Sequence, residues 1–264
     1  MKKYFVIGNP IDHSLSPKLH NYWLKENNID AIYDKKKIDE KDLQATISEI
    51  KEKKTEGINV TVPFKKSVIP YLDRLSPEAE QTQSVNTIIL TDDILVGHNT
   101  DISGFTKAIK DLNFSFEGKK VFILGAGGVV PSIIFALNKM NVSEINVSNR
   151  TRYKADDLKS QFKISNVVDW GDLPKFDVII NATSLGLNNE AINLNYSDIG
   201  DKKLFYDVIY NPSETRFLKE GKKLGNLSEN GKLMFIYQAS EAFKLWHGLE
   251  PKVNEKTLKF LEND

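Results

Sequence analysis

The sequence predicts an α/β protein of two domains, and three observations carry that prediction. Short β-rich runs alternate with helical runs along most of the 264 residues, as in a parallel sheet covered by helices. The alternation restarts at Lys119 with a strand that runs straight into glycines, "KKVFILGAGG". A helical stretch then follows from Phe235 on. A chain of this length can bury two ordinary cores.

Taken in order, "KKYFVIG" (2–8) reads as a buried strand. A helix follows from Ser16 to Asn27, with Leu19, Tyr22 and Trp23 at helical spacing. "AIYDKKKI" is a second strand, and residues 40–53 form a helix with Leu43, Ile47 and Ile50 on one face. "GINVTVP" is a third strand, ended by Pro63. "TIILTDDILVGHN" (87–99) is a hairpin turning at Asp92 and Asp93. Ile102, Phe105, Ile109 and Leu112 then share a face of a connecting helix. In the second pattern a helix (129–140) follows the glycines. The strand "EINVSN", a helix from Lys154, and the strands "FDVIINAT" and "LFYDVIY" complete it. Ile236, Ala239, Phe243 and Trp246 mark the face of the last helical stretch. The expected domains are 1–100 and 101–234, with 235–264 packing back on the first and a cleft separating the two.

Composition excludes several classes. Lysine plus arginine (36) equals aspartate plus glutamate (36), so no global field attracts nucleic acid or an anionic membrane. The lysine runs 35–37 and 51–54 are flanked by acids and read as solvated faces. There is no cysteine, which removes disulfides, thiolate nucleophiles and Cys-based zinc sites and fits a reducing cytoplasm. The apolar run in "MKKYFVIGNP" is too short for a signal-peptide core, and no run is long enough to span a bilayer. Neither a metal, a nucleic acid nor a membrane is expected as a partner.

The glycine loop "VFILGAGGVVPS" (121–132) lies between a strand and a helix. Gly125 and Gly127 allow a tight turn, and Gly127 and Gly128 allow a pyrophosphate to approach the helix N-terminus. The match to G-x-G-x-x-G/A is partial, since Val130 stands where a small residue is usual. An NAD site places an acid at the end of the next strand, about 20 residues on. Here that strand ends "VSNRTRYK": Asn149, Arg150 and Thr151 occupy the position, Lys154 follows one turn later, and no acid is present. Two cations and a hydroxyl suit a 2′-phosphate, so NADP is the expected cofactor. Arg152 is expected to point to solvent.

Polar residues cluster at other element ends. Thr61 and Lys65 lie in "NVTVPFKKS", Asn86 in "VNT", and Asn99, Thr100 and Asp101 in "GHNTDISG". Such positions commonly line a site in α/β folds. A lysine can protonate a carbonyl oxygen during reduction and take the proton back in reverse. A nearby carboxylate would hold its ammonium in place. Two plainer readings stay open: Lys65 as one of two adjacent surface lysines, and Asp101 as a helix N-cap.

With these motifs in view, the chain resembles the shikimate dehydrogenases, of the biosynthetic type that uses NADP. The matching segments run nearly end to end: "GNPIDHSLSPKLHN", "NVTVPFK", "VNT", "HNTD", "GAGG", "NRT", "NATSLG", "YNP" and "NGKLMFIYQASEAFKLWHG". The resemblance implies an N-terminal substrate domain and a Rossmann-like NADP(H)-binding domain. It implies reversible, NADPH-dependent reduction of 3-dehydroshikimate to shikimate on the route to aromatic amino acids. Its catalytic pair falls on Lys65 and Asp101. Its substrate contacts fall on Ser14, Ser16, Thr61, Asn86, Tyr210 and Gln238 besides that pair. Its cofactor contacts fall on Gly125, Ala126, Gly127, Gly128, Val129, Asn149, Arg150, Thr151 and Lys154, with Thr183, Ser184, Val208, Gly231 and Met234 around the nicotinamide half. Three departures stand out: Val129, Val130 and Pro131 replace the usual "AxR" after the glycines, Lys154 replaces a common arginine, and "TQSVNT" replaces "GAVNT".

Ser14 and Ser16 are two apart, and in an extended segment both side chains point to one side. Two hydroxyl donors there suit the substrate carboxylate, which is how the family uses them. Ser16 before Pro17 also has the form of a helix N-cap with proline at the first helical position. His13 and His20 then read as packing and hydrogen-bonding residues. Three rival readings remain: a quinate/shikimate dehydrogenase with relaxed cofactor use, a non-catalytic NADP-binding regulatory protein, and a Ser/His hydrolase, which lacks a G-x-S-x-G elbow. Monomer and homodimer are both compatible with the sequence.

Overall fold

The structure, a computed structural model, describes residues 1–197 and 199–262. The chain divides into two compact units, one built from Met1–Gly104 and Ile236–Asp264, the other from Phe105–Phe235. Both are α/β, and no helix among the described residues is long and apolar enough to cross a membrane.

The first unit holds a six-stranded sheet. Its elements are β1 (Lys2–Gly8), α1 (Ser16–Glu26), β2 (Ala31–Lys37), α2 (Leu43–Lys51), β3 (Gly57–Val60), β4 (Arg74–Leu75), α3 (Pro77–Thr82), β5 (Thr87–Thr91), β6 (Ile94–His98) and the start of α4 (Asp101–Lys110). The spatial order is β2-β1-β3-β5-β6-β4. β1 is parallel to β2 and β3, whereas β5 is antiparallel to both β3 and β6. The hairpin turns at Asp92 and Asp93, both at positive φ (51° and 60°), as a two-residue primed turn requires. Ile7, Ile58 and Val60 face α2, where they pack with Leu43, Ile47 and Ile50. Alternate residues face the other way, so Tyr4 meets Trp246 at 4.9 Å between ring centroids.

That second face is covered by α8 (Lys232–His247), and α9 (Glu255–Glu262) packs against α1, where Phe260 stacks on Tyr22. Trp246 donates its indole N–H to the Ile88 carbonyl at 3.2 Å. Gly57 makes the contact possible, because a Cβ there would lie 2.2 Å from the Trp246 ring nitrogen.

The second unit is an all-parallel, six-stranded sheet. Its strands are β7 (Lys120–Leu124), β8 (Glu144–Ser148), β9 (Asn166–Val168), β10 (Val178–Asn181), β11 (Leu204–Asp207) and β12 (Leu227–Glu229). Helices α5 (Val130–Lys139), α6 (Arg152–Gln161) and α7 (Arg216–Lys223) cross between them. β7 and β10 read as near-continuous apolar runs, as strands buried on both faces do. The order β12-β11-β10-β7-β8-β9 is that of a doubly wound Rossmann sheet, whose direction reverses between β7 and β10.

Several boundaries differ from the sequence reading. The expected helix 40–53 is a 3₁₀ turn, Glu40–Asp42, followed by α2. β3 stops at Val60, so Thr61 to Pro63 lie beyond the strand. α6 begins at Arg152 rather than Lys154. The short elements β4, α3, β9 and β12 are absent from the sequence reading.

Candidate active site

Topology gathers the polar residues of the first unit at one end of its sheet. β1 and β3 are parallel and finish side by side: Thr61 N–H donates to the Ile7 carbonyl (2.9 Å) and Asn9 N–H to the Val62 carbonyl (3.0 Å). β5 runs against β3 and therefore starts where β3 ends, and Thr87 at its start pairs with His98 at the end of β6. Ser14, Thr61, Lys65, Asn86 and Asp101 all lie just outside these strand ends.

Lys65 and Asp101 form a buried ion pair, Nζ to Oδ2 at 2.5 Å. Lys65 is 9% exposed and Asp101 5%, while Lys66 is exposed. The surface-lysine reading therefore fails for Lys65 and holds for its neighbour. Burial follows from the turn after β3, which inserts Phe64 into the core and ties the Lys65 carbonyl to Val85 N–H at 2.8 Å. The N-cap reading of Asp101 fails as well. Asp101 is the first residue of α4, its carboxylate turns to Lys65 and Asn86, and its N–H donates to Asn99 Oδ1 at 3.1 Å.

Asn86 is the hub. Its Nδ2 donates to Asp101 Oδ1 (3.0 Å), Thr100 Oγ1 (2.8 Å) and Gln238 Oε1 (3.3 Å). Its Oδ1 accepts from Thr100 N–H at 2.8 Å. A buried pair with bonded oxygens escapes the cost of an uncompensated charge. Lys65, Asn86, Asp101 and Gln238 thus form one connected constellation, joined by Thr100 and Asn99, which the sequence reading counts among the polar residues at element ends.

The serine clamp is arranged differently from the sequence expectation. Leu15, with φ −87° and ψ 0°, is not extended and takes the N-cap position, and Ser16 is the first helical residue. Ser14 Oγ accepts from Ser16 N–H at 3.3 Å. Capping thus falls to Ser14, not Ser16, because the turn closed by Ser14 N–H on the Ile11 carbonyl brings Ser14 over the helix start. As an acceptor, Ser14 keeps its own O–H for another group. His20 is 1% exposed and stacked on Tyr33 at 4.2 Å, a packing residue as expected, whereas His13 is exposed.

Cofactor candidates lie in the second unit, at the reversal of strand order. Gly125 follows β7 at φ +116°, donates to the Ser148 carbonyl at 2.7 Å, and has no room for a Cβ, which would sit 2.7 Å from the Ala182 carbonyl oxygen. At Gly127 a Cβ would meet nothing nearer than 4.0 Å. The protein itself therefore does not demand glycine there, and the position leaves room for a ligand to approach the backbone. Ala126, Gly128 and Val129 complete the loop into α5. Asn149 is held by donation to the Thr151 carbonyl at 2.8 Å. Arg150 and Lys154 are exposed and carry no ion pair among the described residues. Arg152 instead pairs with Asp169 and Asp156, and does not merely point to solvent. The pairing occupies Arg152 and leaves the other two cations where an acid would mark NAD. These residues fit a phosphorylated dinucleotide.

The nicotinamide candidates have internal duties too. Thr183 donates to Asn181 Oδ1 at 2.7 Å, and Val208 N–H donates to the Asn181 carbonyl at 2.9 Å. At Gly231 a Cβ would lie 2.2 Å from the Val208 carbonyl oxygen. Ser184 is exposed, Met234 is buried, and Tyr210 stacks on Phe235 at 4.3 Å. One functional support escapes the sequence reading. Asp207, fully buried, accepts from Thr215 Oγ1 (2.7 Å), Ile209 N–H (3.0 Å) and Asn181 Nδ2 (3.1 Å), tying together the segments after β10 and β11. Burial pushes its carboxyl up to about 6, against the pull of those donors.

Comparison with known proteins agrees with this geometry. Residues 6–88 match the shikimate dehydrogenase substrate-binding domain, and residues 106–205 match the shikimate/quinate 5-dehydrogenase family. The NADP(+) shikimate dehydrogenase of Pelagibacter ubique is 53% identical over 264 residues, covering 99% of this chain and 100% of that protein. The crystal structure of shikimate dehydrogenase from Aquifex aeolicus has a TM-score of 0.91 at 35% identity, covering 100% of this chain and 98% of that one. That of Thermus thermophilus shikimate 5-dehydrogenase, in complex with NADP(H) and shikimate, has a TM-score of 0.89 at 31% identity, covering 99% and 98%. With a Rossmann sheet, a glycine loop and a buried lysine–aspartate pair already in place, these likenesses show that the chain belongs to the shikimate dehydrogenase family.

Proposed function

We propose that the protein catalyses the reversible, NADPH-dependent reduction of 3-dehydroshikimate to shikimate, with Lys65 as general acid and base and Asp101 as its partner. The observation that carries the residue assignment is the buried 2.5 Å pair inside a bonded amide network. NADPH, when bound, supplies the hydride. Lys65 Nζ donates a proton to the ketone oxygen of the substrate and removes it again in the oxidative direction. Asp101 and Asn86 hold that ammonium in one place, so little reorganisation accompanies proton transfer.

The substrate is a small cyclic polyol with one carboxylate and one ketone. Ser14 and Ser16 donate hydroxyls to the carboxylate. Thr61, Asn86, Tyr210 and Gln238 serve the ring hydroxyls. A site that pairs each hydroxyl discriminates strongly against analogues lacking one. In the second unit, the 125–129 loop receives the pyrophosphate, and Arg150, Lys154 and Thr151 receive the 2′-phosphate. Thr183, Ser184, Val208, Gly231 and Met234 surround the nicotinamide. The missing acid after β8 favours NADP over NAD.

Nicotinamide absorbance tests the reading directly, with purified protein, shikimate or quinate, and NADP or NAD. Turnover is expected with shikimate and NADP; NADP binding without it would leave a regulatory protein. Lys65→Ala is expected to lower kcat by about 100-fold or more, the usual share of a proton-transfer group, with little change in KM. Near-wild-type turnover in that variant removes Lys65 from the catalytic role.

A further inference from the structure

A chain of hydrogen bonds behind the lysine–aspartate pair crosses the sheet of the first unit on one face. Tyr33 on β2 donates its phenol O–H to Asn59 Oδ1 on β3 at 2.6 Å. Asn59 Nδ2 donates to the Asn86 carbonyl (3.0 Å) and to Thr87 Oγ1 on β5 (2.9 Å). Thr87 Oγ1 donates to Asn86 Oδ1 at 3.2 Å. Asn86 Nδ2 then reaches Asp101, and Asp101 holds Lys65. Every member is buried: Tyr33 is 2% exposed, Asn59 7%, Thr87 0% and Asn86 3%. The strand register explains the alignment, since Asn59 stands opposite both Val6 and Thr87.

We infer that Asn59, with Tyr33 and Thr87, is a positioning residue that orients the Asn86 amide and thereby fixes where Lys65 is held. The inference rests on the catalytic assignment of Lys65 and Asp101. The direction of each bond follows from elementary chemistry. The Asn86 carbonyl can only accept, so the Asn59 atom facing it must be the amide nitrogen. The Asn59 oxygen therefore faces Tyr33, and the phenol must donate. Thr87, having accepted from Asn59, turns its own proton to Asn86 Oδ1. That proton joins the Thr100 N–H, which donates to the same oxygen at 2.8 Å, and together they turn the Asn86 amide nitrogen to the Asp101 carboxylate. A flipped Asn59 would set two carbonyl oxygens against each other, a buried unsatisfied pair.

The tether at the far end is equally specific. Asn21 on α1 clamps the Tyr33 backbone with two bonds, accepting from its N–H (2.9 Å) and donating to its carbonyl (2.7 Å). His20 stacks on the Tyr33 ring. The "HN" of "SPKLHN" thus serves the relay rather than a ligand.

Asn59→Ala is the obvious variant, but it empties a buried polar site and can fail to fold. Thr87→Val keeps the shape and removes only the hydroxyl, and Tyr33→Phe removes only the phenol oxygen. Each is expected to lower kcat by roughly three- to tenfold, the worth of about one hydrogen bond, while KM for NADP stays unchanged. In a Lys65→Ala background the same changes should lower the residual kcat no further, because what they position is gone. Wild-type kcat in both single variants, with Lys65→Ala inactive, would overturn the relay and leave the catalytic pair standing. Equal losses with and without Lys65 would also overturn it, as structural damage. A fully active Lys65→Ala would sink the catalytic reading and the relay together.

Discussion

At the scale of single residues, burial decides what a charge or a ring nitrogen does. Lys65 and Lys66 are neighbours in sequence, yet only the first is enclosed with an acid partner. His20 shows the same effect in a side chain without chemistry. Its Nε2 is buried with no hydrogen-bond partner, and burial, reinforced by nearby His247, pushes its pKa down to about 3. The unfolded chain takes up a proton below the ordinary value of 6.5, and the native state refuses it until about 3. Stability contributed by neutral His20 is thus present above 6.5 and lost as pH falls through that window. His20→Phe, which keeps the stack on Tyr33, should lose less melting temperature than wild type between about pH 7 and about pH 4. An equal loss in both proteins would show that His20 does not govern this acid limb. The identities of Lys65, Asp101, Asn86 and Gln238 were legible in the sequence because their motifs are. The capping role of Ser14 was not, since it depends on Leu15 adopting ψ near 0°.

Among elements, those with strong local signals were legible. The Asp92-Asp93 turn fixes the β5–β6 hairpin, and the apolar spacing of α2 marks its buried face. α3 was legible in principle and missed: Ser76 caps it by accepting from Ala79 N–H, with Pro77 at its first position. β9 and β12 are three-residue edge strands, too short for any periodicity. The ends of β10 and β11 carry a prediction of their own, because buried Asp207 fastens both. With its pKa raised from 3.8 to about 6, the native state keeps a proton that the unfolded chain releases. Here stability falls as pH rises through that window, opposite in sign to His20. Asp207→Asn should abolish this fall, so scans between about pH 4 and about pH 6 should show melting temperature rising more steeply with pH in the variant. An unchanged slope would mean that Asp207 is ionised throughout.

For the whole molecule, the two-domain α/β plan was legible from alternation and the glycine loop, and the last helices were expected on the first domain, whereas the particular contacts that hold them there are not encoded in spacing. Gln238 and Trp246 reach Asn86 and Ile88 across 152 and 158 residues of sequence. The first unit is therefore assembled from both ends of the chain, and the second from one continuous stretch. A chain stopped after Phe235 should keep slow amide exchange in β7, β8 and β10, and lose it in β1 and β3, whose aromatic face α8 would no longer cover. Protection retained in β1 and β3 would show that α8 is dispensable to that sheet. Synthesis gives this arrangement a temporal meaning. The stretch that forms the second unit is made before residues 236–264, which complete the unit that holds Lys65. Under the proposed assignment, proton transfer by Lys65 waits for residues 236–264, whereas the glycine loop of the second unit does not.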